Sequence, residues 1–375
     1  MSSGEHAAKK KRPRTWMLVT ICAVAVLLAA GGFVAVEHFG SNAGANPTTP
    51  PPALTVASVS PSGSNVDAGS TISVQFSTDL APNSPLPTLT PAVAGSWAVL
   101  SPSLLQYQAS GPLVPGASET ITVPGGSGGV IGSLGQHMAQ SVSTAFTVAP
   151  GSTLRLQQLL AELGYLPVTF TPAAPVISPA QLGNDQVGSF SWRWAYQPAS
   201  LTTLWTPGTN NVITQGAVMN FESQNGLKTD GVAGPQVWTD LLADVQSGKS
   251  NAQPWDYVLV SQSRPETATV YKDGAEVYST LVNTGVPGAV TENGTWPVFS
   301  RYTVTTMSGT NPDGSHYSDP GIPWVSYFHG GDALHGFVRP GYGYPQSDGC
   351  VEMPISNAAV VFPLTPLGTL VTVQA

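Results

Sequence analysis

The spacing of apolar side chains changes character along the chain, and each change marks a candidate domain. Residues 16–36 run for 21 positions without a charged side chain, about the length that spans a bilayer as a helix. Over 53–149 the period is two. Ile72, Val74 and Phe76 alternate with Ser73, Gln75 and Ser77, and Leu105 and Tyr107 alternate with Gln106 and Gln108. Val142, Thr144, Phe146 and Val148 make a last such run, and Gly, Pro and Asn punctuate the whole segment. This predicts a small antiparallel sandwich.

Over 152–245 the period becomes helical. Leu156, Leu159, Leu160 and Leu163 share one face, and Gly164 supplies a stop. A second helix is predicted over 214–224, with Val218 and Phe221 inward and Gly226 ending it. A third starts at Pro235, suited to a first helical turn, and carries Trp238, Leu241, Leu242 and Val245 on one face. An insert over 167–212 holds Trp192, Trp194 and Trp205, open to core packing or to a sugar-stacking surface. Residues 246–254 read as a linker. Over 255–375 strands return: 257–260 is a short apolar run, and 268–272 and 275–280 flank Asp273-Gly274, a hairpin turn. Residues 368–373 predict a final strand. The fold class is therefore multidomain and mainly β, with one small helical bundle.

Composition and charge narrow the setting. Of 375 residues only 9% are charged, while 40 Gly and 34 Pro favour many turns. Five of the 13 basic residues, Lys9, Lys10, Lys11, Arg12 and Arg14, precede the apolar run. Beyond them eight basic residues face twenty acidic ones, a net charge of −12, which argues against nucleic acid as a partner. The basic cluster places residues 1–15 in the cytoplasm and makes 16–36 a single-pass anchor in the cytoplasmic membrane. A long signal peptide cut near Val36 is the other reading. Residues 37–52, Pro-rich at their end, form a stiff linker. The exported body then holds one cysteine, Cys350, because Cys22 lies in the apolar run. A lone exported thiol is either a small buried hydrophobe or a nucleophile.

The neighbours of Cys350 favour the nucleophile. His335-Gly336 precedes a Gly, Pro and Tyr-rich loop, and Ser347-Asp348-Gly349-Cys350-Val351-Glu352 follows it. A His and a Cys that bracket a loop face each other if the flanking strands pair. An adjacent imidazolium lowers a thiol pKa, and the thiolate attacks carbonyl carbon. Gly349 allows a tight turn that aims amide N–H groups at a developing oxyanion. No set of His, Asp and Glu with metal-ligand spacing appears, and no cofactor is expected.

These residues carry resemblances. The segment 53–149 resembles bacterial Ig-like wall domains. In 152–245, Leu163-Gly164-Tyr165 and the run from Gly226 through Asp230-Gly231 and Gly234-Pro235 to Trp238 resemble a three-helix peptidoglycan-binding domain. Residues 255–375 resemble the β-sandwich catalytic domain of YkuD-type L,D-transpeptidases. His335-Gly336 and Ser347-Asp348-Gly349-Cys350 carry that likeness, with Asn283-Thr284-Gly285, Gly294-Thr295-Trp296-Pro297 and the stretch from Pro323-Trp324 to Tyr327-Phe328.

The resemblance implies Cys350 as nucleophile, His335 as base oriented by the carbonyl of Gly336, and the Gly349 and Cys350 amides in an oxyanion hole. It implies peptidoglycan stem peptides and glycan as partners, release of D-Ala from a tetrapeptide stem, 3→3 cross-links, and carbapenems as acylating inhibitors. Ser347, Asp348, Tyr327, Trp324 and Arg339 are the expected substrate contacts. Arg339 is open to a stem-carboxylate role or a solvated one, and Ser347 to bracing the turn. Two departures stand out: Asp348 replaces a second His of the family motif, and Glu352 replaces an Asn or Arg. Nearby carboxylates raise a thiol pKa. An L,D-carboxypeptidase and a non-catalytic wall-binding protein are the alternative functions.

Overall fold

The computed structural model describes residues 50–375 except 176, 177 and 196. The tail 1–15, the anchor reading of 16–36, Cys22 and nearly all of the linker 37–52 lie outside the described residues. Among the described residues no helix is long and apolar enough to cross a membrane.

The first part is a sandwich of two four-stranded sheets. Its strands are β1 (Val56–Ser60), β2 (Gly63–Val66), β3 (Ile72–Phe76), β4 (Thr88–Thr90), β5 (Gly95–Ser101), β6 (Leu104–Ala109), β7 (Ser118–Val123) and β8 (Val142–Val148). They order as β1-β3-β6-β5 against β2-β8-β7-β4. The period-two residues Ile72, Val74, Phe76 and Leu105 point into the core, with Phe146 and Val148 from the facing sheet. The alternation fails at the start of β8, where Val142 is exposed.

Three longer helices and one short one follow: α1 (Thr153–Glu162), the short α2 (Ala199–Thr202), α3 (Val212–Gln224) and α4 (Pro235–Ser247). Ser152 caps α1 by accepting from the Arg155 N–H at 2.9 Å, and Asn211 caps α3 through the Thr214 N–H at 2.9 Å. The Asn211 cap explains why α3 starts two residues before the predicted 214. Gly164 and Gly248 leave α1 and α4 at positive φ, +83° and +67°. The insert contributes a hairpin that periodicity did not reveal, β9 (Val168–Pro172) with β10 (Gly188–Trp192). Trp192 and Trp205 pack against the helical core, as the core reading expected.

The C-terminal part packs two sheets face to face. One orders as β13 (Ala275–Leu281), β12 (Thr267–Lys272), β11 (Asp256–Ser261), β19 (Leu370–Gln374) and β14 (Gly294–Pro297). The other orders as β15 (Ser300–Thr310), β16 (His316–His329), β17 (Asp332–Gly336) and β18 (Val351–Met353). Helix α5 (Ile355–Val361) covers the end. Val258, Val260, Val351, Met353, Val371 and Val373 fill the layer between. The hairpin turn is as predicted: Asp273 and Gly274 both take positive φ, +50° and +77°, the backbone of a two-residue turn.

Residues 246–254 do not act as a free linker. The Asn251 N–H donates to the Leu163 carbonyl at 2.7 Å. Tyr257 and Leu370 of the C-terminal sheet belong to the same buried cluster as the helices. A Cβ on Gly216 of α3 would lie 2.6 Å from the Gly368 carbonyl oxygen, so only glycine lets helix and sheet approach this closely. Trp194 packs on the hairpin turn, where a Cβ on Gly274 would meet it at 2.6 Å. The helical and C-terminal parts therefore share one core.

Asp256, at the start of β11, lies in that seam beside Asn220 of α3. It is 7% exposed and its Oδ1 has no hydrogen-bond partner. Burial pushes its pKa from 3.8 up to about 7, with Lys272 opposing. The folded state thus holds this proton more tightly than the unfolded chain, and stability falls as pH rises from about 4 through about 7. Asp256→Asn should shift the urea midpoint little at pH 4 and raise it most at pH 8. A shift independent of pH would contradict this reading of the seam.

Candidate active site

The site is built on the pairing of β17 with β18. The two strands run parallel, with Leu334 opposite Val351, His335 opposite Glu352 and Gly336 opposite Met353. His335 and Glu352 therefore share a face, and Cys350, two residues before Glu352, lies on the same side. His335 and Cys350 line one cavity of about 50 Å³.

The loop that delivers Cys350 is clamped from beneath. Asn283 and Glu352 exchange backbone hydrogen bonds at 2.8 and 2.9 Å. The Thr291 hydroxyl donates to the Gly349 carbonyl at 2.7 Å and accepts from the Gly285 N–H at 2.9 Å. A Cβ on Gly285 would meet the Ala289 carbonyl oxygen at 2.0 Å. Asn283-Thr284-Gly285 is thus the seat of the cysteine turn. Gly349 has φ +113°, and a Cβ there would lie 2.5 Å from Asp332 Oδ1. Neither the backbone nor the space admits another residue.

His335 is 3% exposed, and its Nδ1–H donates to the Gly336 carbonyl at 3.1 Å. A carbonyl only accepts, so this bond fixes the tautomer and leaves Nε2 as the free base. Burial lowers the His335 pKa, keeping the ring neutral near pH 7. Cys350 Sγ donates to the Gly331 carbonyl at 3.7 Å, and among the described residues no hydrogen bond joins it to the imidazole. Burial pushes the thiol up to about 12, with Asp332, Glu352 and Asp348 adding to the rise and the Ala333 N–H opposing it. Both shifts run against the expected thiolate–imidazolium pair: desolvation favours the neutral thiol and the neutral imidazole.

The other expected contacts divide. Asp348 is exposed and Arg339 partly exposed, and both line the cavity. Tyr327 packs with Cys350 against Met307 and Val325. Trp324 does not reach the site. Its φ of +59° breaks the alternation of β16, so Ile322 and Tyr327 face the cavity side while Trp324 packs on the inter-sheet core and Phe362. Ser347 is 1% exposed; its hydroxyl donates to the Cys350 carbonyl at 2.5 Å and accepts from the Gly349 N–H at 3.2 Å. It braces the turn rather than contacting a substrate. The same bond occupies the Gly349 N–H, an expected oxyanion donor.

Arg339 is not a free carboxylate receptor. Its Nε and Nη2 donate to the two oxygens of Glu352 at 2.7 and 2.8 Å, and its guanidinium lies 4.7 Å from the Phe337 ring centre. Glu352 holds the Arg339 pKa above its ordinary value. The Glu352 departure is thus answered within the chain. Sequence reasoning also missed Met307, Tyr317, Asp319 and Ile322, which the long β15–β16 hairpin folds over the cavity. The signal was Asp313-Gly314 between two polar-apolar runs, where Gly314 takes φ +87°. His329, which stacks on Trp296 at 4.2 Å and pairs with Asp332 at 3.5 Å, lies behind the turn.

Residues 256–373, about a third of the chain, match the family model of the YkuD L,D-transpeptidase catalytic domain. No curated protein matches the chain. Among solved structures, it is similar to an L,D-transpeptidase from Mycobacterium smegmatis, with 12% identity over 86% of this chain and 100% of that one, TM-score 0.29. It is similar to L,D-transpeptidase 3 from Mycobacterium tuberculosis in complex with a faropenem-derived adduct, with 14% identity over 85% and 98%, TM-score 0.30. It is also similar to the catalytic domain of the E. faecium L,D-transpeptidase, with 27% identity over 33% and 100%, TM-score 0.30.

Removing the Arg339 guanidinium leaves a buried carboxylate without its cation. Arg339→Ala should cost about 1–3 kcal/mol in urea unfolding, and adding Glu352→Gln should return most of it. Equal losses in the single and double variants would show that the pair is not what Arg339 contributes.

Proposed function

We propose that this chain is a cysteine-dependent L,D-transpeptidase of peptidoglycan stem peptides. The supporting observation is the shared cavity of Cys350 and a His335 whose Nε2 is free and neutral. The match of residues 256–373 to the YkuD catalytic domain gives the reaction class.

The neutral pair sets the order of events. His335 Nε2 takes the thiol proton as Sγ attacks the carbonyl of the third stem residue, so charge appears only as the bond forms. The imidazolium then protonates the leaving amine of D-Ala, and a thioester remains on Cys350. An amine of a second stem attacks that thioester, giving a 3→3 cross-link and restoring the thiol. The helical part, fused to the catalytic sheet, would hold the wall polymer, and the 16–36 segment would hold the enzyme at the outer face of the cytoplasmic membrane.

The protein incubated with a tetrapeptide stem should release D-Ala and form a cross-linked dimer. Cys350→Ala should abolish both products, and imipenem should add covalently to the Cys350 peptide. Tripeptide without dimer would make the enzyme a hydrolase. Undiminished activity in Cys350→Ala would overturn the mechanism.

A further inference from the structure

The charges around Cys350 do not cancel. Three carboxylates line its cavity, from Asp319, Asp348 and Glu352, and one guanidinium, from Arg339. Arg339 is held by both oxygens of Glu352, which removes that pair from the balance. Among the described residues the carboxylates of Asp319 and Asp348 form no ion pair and no side-chain hydrogen bond. His335 and Tyr317 are the remaining titratable rings on the cavity wall, and burial disfavours the charged form of each. The opening beside the nucleophile therefore carries two uncompensated negative charges, in a body that is already acidic.

A second feature points to an occupant. His335 is almost wholly buried, yet Nε2, the ring nitrogen not tied to Gly336, has no hydrogen-bond partner among the described residues and belongs to the cavity wall. The cavity, about 50 Å³, has room for a few waters, since about 10–15 Å³ of such space holds one. A small polar head group fits it.

We propose that this slot receives a primary ammonium, that of the acyl acceptor, and that Asp319 and Asp348 are the residues that select it. The proposal rests on the transpeptidase reading and names the acceptor chemistry within it. Asp348, which stands in place of a histidine, turns the cavity mouth from a neutral or basic one into a cation port. Once the thioester has formed, the ammonium gives one proton to His335 Nε2 and becomes an amine. Its nitrogen bonds to the carbonyl carbon, the carbon–sulfur bond breaks, and the imidazolium returns its proton to sulfur. The second proton of the new amide nitrogen leaves to solvent, which balances the proton that the D-Ala amine takes up after its release in the first half-reaction.

The test uses the full chain and no stem peptide. Cys350 is modified with two methanethiosulfonate reagents of similar size, one ending in a primary ammonium and one in a sulfonate. Rates are read by mass spectrometry on the Cys350 peptide and normalised to those of a small free thiol. The cationic reagent should win by about tenfold or more, the range expected when a charged cleft focuses a counter-ion. The preference should shrink in high salt. Asp319→Asn and Asp348→Asn should each lower the ratio, and the double variant should bring it near one. Because both reagents meet the same thiol, a change in thiol acidity leaves the ratio alone. A ratio near one in the native protein, or one that the double variant retains, would overturn the proposal. If the preference holds while stems yield no dimer, the transpeptidase reading fails and cation selection stands; dimer formation with a ratio near one gives the reverse.

Discussion

The parallel pairing of β17 with β18 is the constraint on which the rest of the site depends. Three register pairs, Leu334 with Val351, His335 with Glu352 and Gly336 with Met353, decide which side chains share the cavity. A slip of one residue would turn Cys350 or His335 to the inter-sheet core. The structure guards that register from both sides. Val351 and Met353 are fully buried in the layer between sheets. The Asn283 backbone then pairs with Glu352 from the other edge, and Thr291 holds the Gly349 carbonyl. Gly285 and Gly349 are where this clamp leaves no room for a Cβ.

Register also fixes the electrostatics. Setting Glu352 opposite the imidazole places a carboxylate beside both reacting groups, which alone would hold a proton on each. Arg339 returns across the loop and takes both carboxylate oxygens. Desolvation is then the largest influence on the Cys350 thiol. In the proposed mechanism the thiol proton moves to His335 at the moment a carbonyl reaches sulfur.

Local signals carried much of the fold. Helix starts and stops followed Pro235, Gly164 and the leucine spacing, and Asp273-Gly274 set its hairpin, because capping and turn chemistry act within a few residues. The association of Cys350 with His335 was also legible, since they lie 15 positions apart across a Gly-rich loop. What escaped was set by distant pairing. Arg339 meets Glu352 only after β18 has docked, and Asp319 reaches the cavity only because an 11-residue and a 14-residue strand fold back on each other. Trp324, expected at the site from the family resemblance, packs on the inter-sheet core instead, where its left-handed backbone inverts strand parity. The seam between helices and sheet was hidden in 246–254, whose polar composition looks free but whose backbone is held by Leu163.

The central claim is that Cys350 rests as a thiol beside a neutral imidazole. Its most direct test is the pH dependence of Cys350 alkylation by iodoacetamide, an uncharged reagent, followed on the Cys350 peptide. The account predicts a rate that climbs about tenfold per pH unit through pH 9 without levelling, since the reactive thiolate is a minor species throughout. A plateau reached by pH 6 to 7 would reveal a standing thiolate–imidazolium pair and contradict it.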